Sequence, residues 1–265
     1  MQIKKIVTQT LAAAAATVFL ATSAQAALVG RDINGVAVAG SSASAVFLYD
    51  TDLNITWLRN ANAAAGSSFD NGSDTTDGRM TWANANEWAN TLTVGSYSGW
   101  RLPTMVDTGA PGCDYSRSGT DCGHNVQTAT SEMAHLYYVS LGNLSVCQPG
   151  NGTCTVVGWG LKNTGNFQNL QDNYHWSGTE YAPHLDDAWL FSNHDGSQGP
   201  LDKQFELLAL AVRPGDVAAA QVPEPGTLLL AALALAGMVI VRTRRPLGAS
   251  ALSTLWQFVL GRQHQ

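Results

Sequence analysis

The chain has 265 residues, of which 14 are basic and 20 are acidic, so its formal net charge is −6 at pH 7. Between Ala27 and Val222 there are eight basic and nineteen acidic residues, a net charge of −11. Such a surface repels phosphate backbones, which argues against nucleic-acid binding. The 196 residues of this region are enough for one sizeable domain with its own core.

The N-terminus has the three parts of a secretory leader. Lys4 and Lys5 are followed by an apolar run from about Leu11 to Ala21, and then by the small-x-small cleavage pattern Ala24-Gln25-Ala26. This order predicts a signal peptide over residues 1–26. An uncleaved membrane anchor is the alternative, although the run is short and rich in alanine for a permanent span.

The next part of the sequence predicts an extended lead-in, a hairpin and a helix. Residues 27–45 are small and polar, as in an extended segment. Two strands at 46–49 and 54–58 flank the turn at 50–52. From Thr81 to Leu92, apolar residues including Trp82 and Trp88 fall on one face, which is typical of an amphipathic helix.

The second half predicts another helix and three strands. Ser131 is a suitable N-cap, and Gly142 a suitable terminator, for a helix over 131–141. Strand-like runs follow at Tyr174–Glu180, Ala188–Ser192 and Phe205–Arg213. This order predicts an α+β domain over 46–216, with two helices packed on a mostly antiparallel sheet and long loops between the elements.

The chain has four cysteines, Cys113, Cys122, Cys147 and Cys154. All lie within residues 27–222, which the signal peptide predicts to be exported and which we call the exported region. Thiols are usually oxidised outside the cytoplasm. Their spacings of nine and seven favour two local disulfides, 113–122 and 147–154, among three pairings. A zinc site is the rival interpretation, but it lacks a CxxC pair.

Acidic residues cluster in two places. Asp70, Asp74 and Asp77 lie in a loop rich in Asp, Asn, Ser and Gly, and oxygen ligands of this kind suit calcium. A solvated polar turn is the other interpretation, because the spacing does not fit an EF-hand. Asp186, Asp187 and Asp195 form a weaker cluster of the same type.

The tryptophans divide into two groups. Trp159 stands between two glycines, which makes it the candidate for an exposed, ligand-binding aromatic side chain. The others considered lie inside predicted elements, where a role as large core anchors is favoured over sugar stacking. These are Trp57, Trp82, Trp88, Trp100, Trp176 and Trp189.

Two arginines, Arg101 and Arg213, occur in apolar contexts. A buried arginine must be paired, so Glu132 or Glu180 is the expected partner in a structural ion-pair network.

No catalytic motif is recognised. The sequence contains no HExxH, GxSxG or P-loop, and the histidines of the exported region are dispersed. A non-enzymatic protein without catalytic residues is therefore the expectation.

The C-terminal region combines three features in order. A linker over 217–226 contains Pro223-Glu224-Pro225, an uncharged apolar stretch covers 227–241, and a tail over 242–265 begins with Arg242, Arg244 and Arg245. The apolar stretch predicts a transmembrane helix, although its length of about 22 Å is below the roughly 30 Å of a hydrocarbon core. The arginines predict a cytoplasmic tail.

This arrangement resembles the PEP-CTERM sorting signal of exported bacterial proteins. The resemblance implies a membrane-anchored precursor that is recognised by an exosortase, a membrane enzyme thought to cut near the Pro-Glu-Pro element. It departs from the usual pattern because residues 246–265 follow the basic cluster. These residues form either an apolar helical stripe at the inner membrane face or an incidental extension.

Seven motifs of the exported region, which include Trp100-Arg101-Leu102-Pro103-Thr104 and Trp176-Ser177-Gly178-Thr179, occur in order at 52–58, 80–83, 99–104, 131–133, 175–180, 188–189 and 210–215. In these residues and their order, the region is similar to the Lcl C-terminal domain family of bacterial surface proteins. The similarity implies a fold related to C-type lectin-like domains, a superfamily that includes formylglycine-generating enzymes. It also implies an activity that is mostly undetermined, with adhesion to polymers resembling glycosaminoglycans proposed for the founding member of the family.

These features predict an exported, exosortase-sorted protein of the cell surface or biofilm matrix, whose ectodomain binds polysaccharide without catalysis. No cofactor is expected apart from the calcium interpretation. Two alternatives stay open. One is an envelope enzyme of the formylglycine-generating superfamily, whose chemistry relies on a reactive cysteine pair, and the other is a purely structural matrix component.

Overall fold

The computed structural model describes residues 28–109, 121–150 and 153–218. The predicted signal peptide, the sorting motif, the apolar stretch 227–241 and the basic tail lie outside the described residues. Among the helices of the described ranges, none has the length and apolar character needed to cross a membrane.

The first sheet has five antiparallel strands, which are β1 Leu28–Arg31, β2 Ala37–Val38, β3 Phe47–Asp50, β4 Ile55–Leu58 and β10 Val212–Pro214. Their order in the sheet is β10-β4-β3-β1-β2. The predicted hairpin is confirmed, and Asp50 Oδ1 fixes its turn by accepting the amides of Asp52 and Leu53. The lead-in differs from the prediction, since it contributes two paired strands.

The second sheet also has five strands, which are β5 Gly123–His124, β6 Tyr174–Glu180, β7 Asp187–Ser192, β8 Ser197–Asp202 and β9 Leu208–Ala209. Their order is β5-β8-β7-β6-β9, and the β6–β9 pair is parallel while the others are antiparallel. Strands β6 and β7 confirm the prediction, whereas β5 and β8 were not predicted.

The prediction of a single strand at Phe205–Arg213 is wrong. This segment forms β9 in the second sheet, then crosses to the first sheet and forms β10. Residues 207–212 are buried throughout because they connect the two sheets through the core. A continuous apolar run carries no signal for such a crossing.

Both predicted helices are present. Helix α1, Trp82–Thr91, buries Ala85, Trp88 and Ala89. Helix α2, Glu132–His135, continues as a π-helical turn over Leu136–Ser140. As predicted, Ser131 is its N-cap, with Oγ accepting a hydrogen bond from the backbone amide of Ala134 at 3.3 Å.

The core contains the predicted aromatic anchors. Trp88, Trp100 and Trp176 lie in one cluster, Trp57 lies in a second, and Trp189 lies in a third. These five are buried, while Trp82 packs against the first cluster and stays partly exposed. The architecture is therefore the predicted mixed α+β class, with mainly antiparallel sheets and two short helices.

Candidate functional site

One of the two predicted disulfides lies within the described residues. Cys147 and Cys154 are bonded, and Asn125 Nδ2 donates to the carbonyl oxygen of Cys147 at 2.7 Å. Cys122 is also disulfide-bonded. Its predicted partner, Cys113, lies outside the described residues.

The calcium candidates do not converge on one point. Asp70 is buried, and its Oδ2 accepts the amides of Gly66 and Gly78, both at 2.9 Å. Asp74 accepts from the hydroxyl and amide of Thr76, and these hydrogen bonds lower the pKa of Asp74.

Asp77 instead accepts the amide of Arg79 at 2.9 Å. Within residues 28–109, 121–150 and 153–218, no group of three or more His, Cys, Asp or Glu side chains could hold a metal ion. The contacts are those of polar turns, and calcium binding stays an untested prediction. The second acidic cluster is also divided, because Asp187 pairs with His184 while Asp195 hydrogen-bonds to Ser197.

Trp159 is half-buried rather than freely exposed. Its ring meets the ring of His194 edge-on, with centroids 5.3 Å apart. His194 Nδ1 lies 3.2 Å from Asp172 Oδ1. This packing leaves only part of the indole available to a ligand.

The predicted partner of Arg101 is confirmed. Its two terminal nitrogens donate to the two carboxylate oxygens of Glu132, each at 2.7 Å, and Glu132 also accepts the amide of Thr104. The prediction for Arg213 is wrong, because its Nε donates to the carbonyl oxygen of Ser98. Its guanidinium lies over the ring of Tyr97, which supplies a cation–π contact instead of an ion pair.

A depression of about 490 Å³ lies on the second sheet. Two aromatic side chains line it and are exposed to solvent, Tyr174 by 44% and Phe205 by 56%. Leu190 and Leu207 also line it and are apolar, and Gly199, paired with Leu190 across β7 and β8, adds no side chain. We call this feature the Tyr174–Phe205 depression. Its remaining lining residues are Asp195, Ser197, Gln198, Pro200 and Leu201.

The polar part of the lining contains one carboxylate. Burial raises the pKa of Asp195, but hydrogen bonds from Ser192 and Ser197 and the nearby His124 outweigh this effect and keep that pKa below its ordinary value. Ser197 Oγ donates to Asp195 Oδ1 at 2.7 Å. Asp195 is therefore ionised at neutral pH, which suits a hydrogen-bond acceptor and not a general acid.

Gln198 has a structural role at the same edge. Its Oε1 accepts from Ser131 Oγ and its Nε2 donates to the carbonyl oxygen of Asp121, both at 2.7 Å. These contacts hold β8 against the N-terminus of α2. The aromatic side chains and the Asp195 carboxylate line the same depression. Together they can hold a ligand ring that has one apolar face and hydroxyl groups at its edge, because the apolar face stacks on an aromatic ring and the hydroxyls donate to the carboxylate.

The comparisons with known proteins concern the C-terminal region. Residues 221–245 match the PEP-CTERM protein-sorting motif. The match contains all six predicted sorting residues, from Pro223 to Arg245. It implies an exported protein that an exosortase-type enzyme recognises and that is sorted at the membrane to the cell envelope. No curated protein matches this sequence.

The PEP-CTERM match does not extend into the ectodomain, so the Lcl-type, lectin-like interpretation stays a prediction. The motif begins three residues after Ala218. Immediately before it the polypeptide is held to the domain, because Val217 is buried and its carbonyl oxygen accepts from the Tyr97 hydroxyl at 3.0 Å.

Tyr174 and Phe205 are not among the residues predicted from sequence to bind a ligand. One signal was present, since each stands beside a polar turn residue, Asn173 or Gln204. An aromatic side chain at such a place is often exposed. Their convergence is not visible in the sequence, because 31 positions separate them and strand pairing brings them together.

Proposed function

We propose that this exported, envelope-sorted protein has a non-catalytic ectodomain that binds a neutral extracellular polysaccharide at the Tyr174–Phe205 depression. The PEP-CTERM motif supports the place of action outside the cytoplasm. The single observation that carries the binding role is the exposure of two aromatic rings on one apolar depression.

The lining favours sugar rings as ligands. An exposed aromatic ring offers a flat apolar face, and a pyranose ring stacks its own apolar C–H face on such a surface. Asp195 supplies a charged acceptor for hydroxyl groups, and hydrogen bonds to charged groups are stronger than those between neutral groups. The depression therefore combines the two kinds of contact that a sugar needs.

Charge favours a neutral polymer over an anionic one. The exported region carries a net charge of −11, and Asp195 stands within the lining itself. A sulfated or uronic-acid polymer would meet repulsion in both places. This differs from the glycosaminoglycan-like ligand that the Lcl resemblance implies.

A binding role is preferred over the enzyme alternative for two reasons. The formylglycine-generating chemistry relies on a reactive cysteine pair, and Cys147 and Cys154 are joined in a disulfide. The depression is lined by one carboxylate, whereas acid–base hydrolysis of a glycoside needs two acidic groups. Among the described residues, no specific contact favours a purely structural matrix role.

The test measures binding of the purified full-length protein to immobilised neutral polysaccharides and to a glycan array. We expect Tyr174→Ala and Phe205→Ala each to weaken binding by roughly threefold to tenfold, the loss of one aromatic stacking contact. Leu185→Ala is the matched control, because Leu185 is exposed by 67% and does not line the depression.

Three outcomes would contradict the proposal. They are a wild-type protein that binds none of the glycans, binding to anionic polymers alone, and equal losses in the two aromatic variants and the control. The first would favour the structural matrix alternative.

A further inference from the structure

Asn71 and Gly72 form an Asn-Gly pair in the loop of residues 66–78. Asn71 is exposed, and its Oδ1 accepts a hydrogen bond from Asn84 Nδ2 at 2.8 Å. Asn84 lies on α1, and the same Nδ2 also contacts the carbonyl oxygen of Phe69 at 3.3 Å. The carboxamide of Asn71 is therefore held in place and polarised by a helix-borne donor.

The Glu206 carboxylate lies against Gly72. A Cβ atom added at Gly72 would stand 2.3 Å from Glu206 Oε2 and 2.8 Å from Oε1, so a larger residue would displace this contact. The Gly72 nitrogen makes no hydrogen bond to the described part of the protein. The Gly72 N–H is therefore not engaged by the described part of the protein, and the exposed Glu206 carboxylate lies against the same residue on its Cα side.

The backbone on both sides of the pair is fixed. Asp70 Oδ2 accepts the amides of Gly66 and Gly78, so the two ends of the loop meet at one buried carboxylate. A loop closed in this way loses less conformational freedom when Asn71 and Gly72 reach a reactive geometry.

We propose that Asn71–Gly72 is a site of spontaneous, structure-assisted deamidation in which Glu206 acts as the base and Asn84 polarises the carboxamide. The Gly72 nitrogen attacks Cγ of Asn71 and gives its proton to Glu206, and the new bond between this nitrogen and Cγ closes a succinimide. The bond between Cγ and Nδ2 of Asn71 breaks, and ammonia leaves with the proton returned by Glu206. Water then opens the ring to aspartate or isoaspartate.

The product changes the charge next to the candidate binding surface. A neutral amide becomes a carboxylate close to Glu206, and two like charges at short range repel each other. Phe205, the neighbour of Glu206, lines the Tyr174–Phe205 depression. An effect of the modification on ligand binding rests on the proposed function, whereas the modification itself does not.

A second Asn-Gly pair, Asn34–Gly35, provides an internal control. There the Gly35 nitrogen already donates to the carbonyl oxygen of Asp32 at 3.0 Å. The Asp32 carboxylate accepts the amides of Asn34 and Val36. The attacking nitrogen is already engaged and one carboxylate oxygen of Asp32 accepts two other amides, so the same dipeptide lacks the assistance found at Asn71.

The test is peptide mapping by mass spectrometry of the folded full-length protein, incubated near neutral pH and sampled over time. We expect Asn71 to convert at least about tenfold faster than Asn34. This ratio is small beside the rate enhancement of about a hundredfold or more that general base catalysis typically supplies. In denatured protein the two sites should convert at similar rates. Enzymatic methylation of isoaspartate provides an independent readout.

Variants separate structural assistance from simple exposure. Glu206→Gln should slow conversion at Asn71 severalfold, and Asn84→Ala should slow it as well, with conversion at Asn34 unchanged. The matched control is Glu87→Gln, which changes a different exposed glutamate, one that lies on α1, and it should have no effect. The proposal is overturned if Asn71 stays an amide as long as Asn34, or if Glu206→Gln and Glu87→Gln behave alike. Circular dichroism verifies that each variant is folded.

Discussion

Arg31 and Asp216 stand 185 residues apart in the sequence and form a two-bond pair, from Nε to Oδ1 at 3.0 Å and from Nη2 to Oδ2 at 2.5 Å. The hydrogen bond to Asp216 raises the pKa of Arg31. The pair joins β1, near the start of the described domain, to the segment that follows β10. It therefore holds together the first and last segments that build the first sheet.

Breaking this pair should destabilise the domain. We expect Arg31→Ala to lower the free energy of unfolding by about 1–2 kcal/mol, because the pair is bidentate and mostly shielded from solvent. Urea denaturation followed by tryptophan fluorescence measures the effect. The control is Arg79→Ala, whose contact with Asp77 is 3.6 Å long and more exposed to solvent than the Arg31–Asp216 pair, so its loss should change little. Equal effects for Arg31→Ala and Arg79→Ala would contradict the assignment.

The Arg101–Glu132 pair gives a second stability prediction. Arg101→Ala removes both donors and leaves the Glu132 carboxylate with the Thr104 amide as its remaining partner among these contacts. We expect a loss of about 2–3 kcal/mol in the free energy of unfolding. Arg101→Lys should recover only part of it, since lysine cannot bind both oxygens in a fork. An unchanged melting temperature in Arg101→Ala would refute a structural role for the pair.

His175 should make the domain sensitive to acid. Burial lowers the pKa of His175 from 6.5 to about 4, so the folded state binds the proton less readily than the unfolded state. This contribution to stability is complete above pH 6.5 and is lost as the pH falls from about 6.5 to about 4. The total loss is on the order of 3 kcal/mol.

The measurement is the free energy of unfolding as a function of pH. His175→Gln should flatten the slope between pH 4 and 6.5, whatever its effect on stability at neutral pH. His184→Gln is the control, because His184 is largely exposed. If the slope is the same in the wild-type protein and in His175→Gln, His175 is not the residue responsible.

The Cys147–Cys154 disulfide should stabilise its surroundings modestly. It closes a short loop, and the loss of closure entropy in the unfolded state corresponds to about 2 kcal/mol. The double variant Cys147→Ala/Cys154→Ala should therefore still fold. Hydrogen exchange should increase mainly near Val146 and Val156, whose backbones pair beside the disulfide. Global unfolding of the double variant at room temperature would contradict this prediction.

Local patterns were enough to predict much of the fold. The period of apolar residues located α1, and the Ser131 cap located the start of α2. Strand β8 was missed because Gly199 and Pro200 both have low strand propensity, and its pairing with β7 and β5 overrides that preference. The crossing between the sheets was missed because Leu210 and Ala211 are as apolar as the strands beside them.

The functional surfaces were harder to predict than the fold. The Arg101–Glu132 pair could be predicted because a charge in an apolar context needs a partner, and few acidic residues stood in suitable elements. The depression between Tyr174 and Phe205 depends on the pairing of β6, β7 and β8, which no local pattern encodes. The contact of Glu206 with Gly72 likewise joins distant loops and leaves no trace in either segment.

The anchoring of Val217 by Tyr97 has a consequence for maturation. This contact and the Arg31–Asp216 pair lie upstream of residue 221, so a cut within the matched motif leaves both in the same polypeptide. If an exosortase-type enzyme cuts there, the ectodomain should keep its melting temperature, because the contacts that hold its C-terminal segment stay within it.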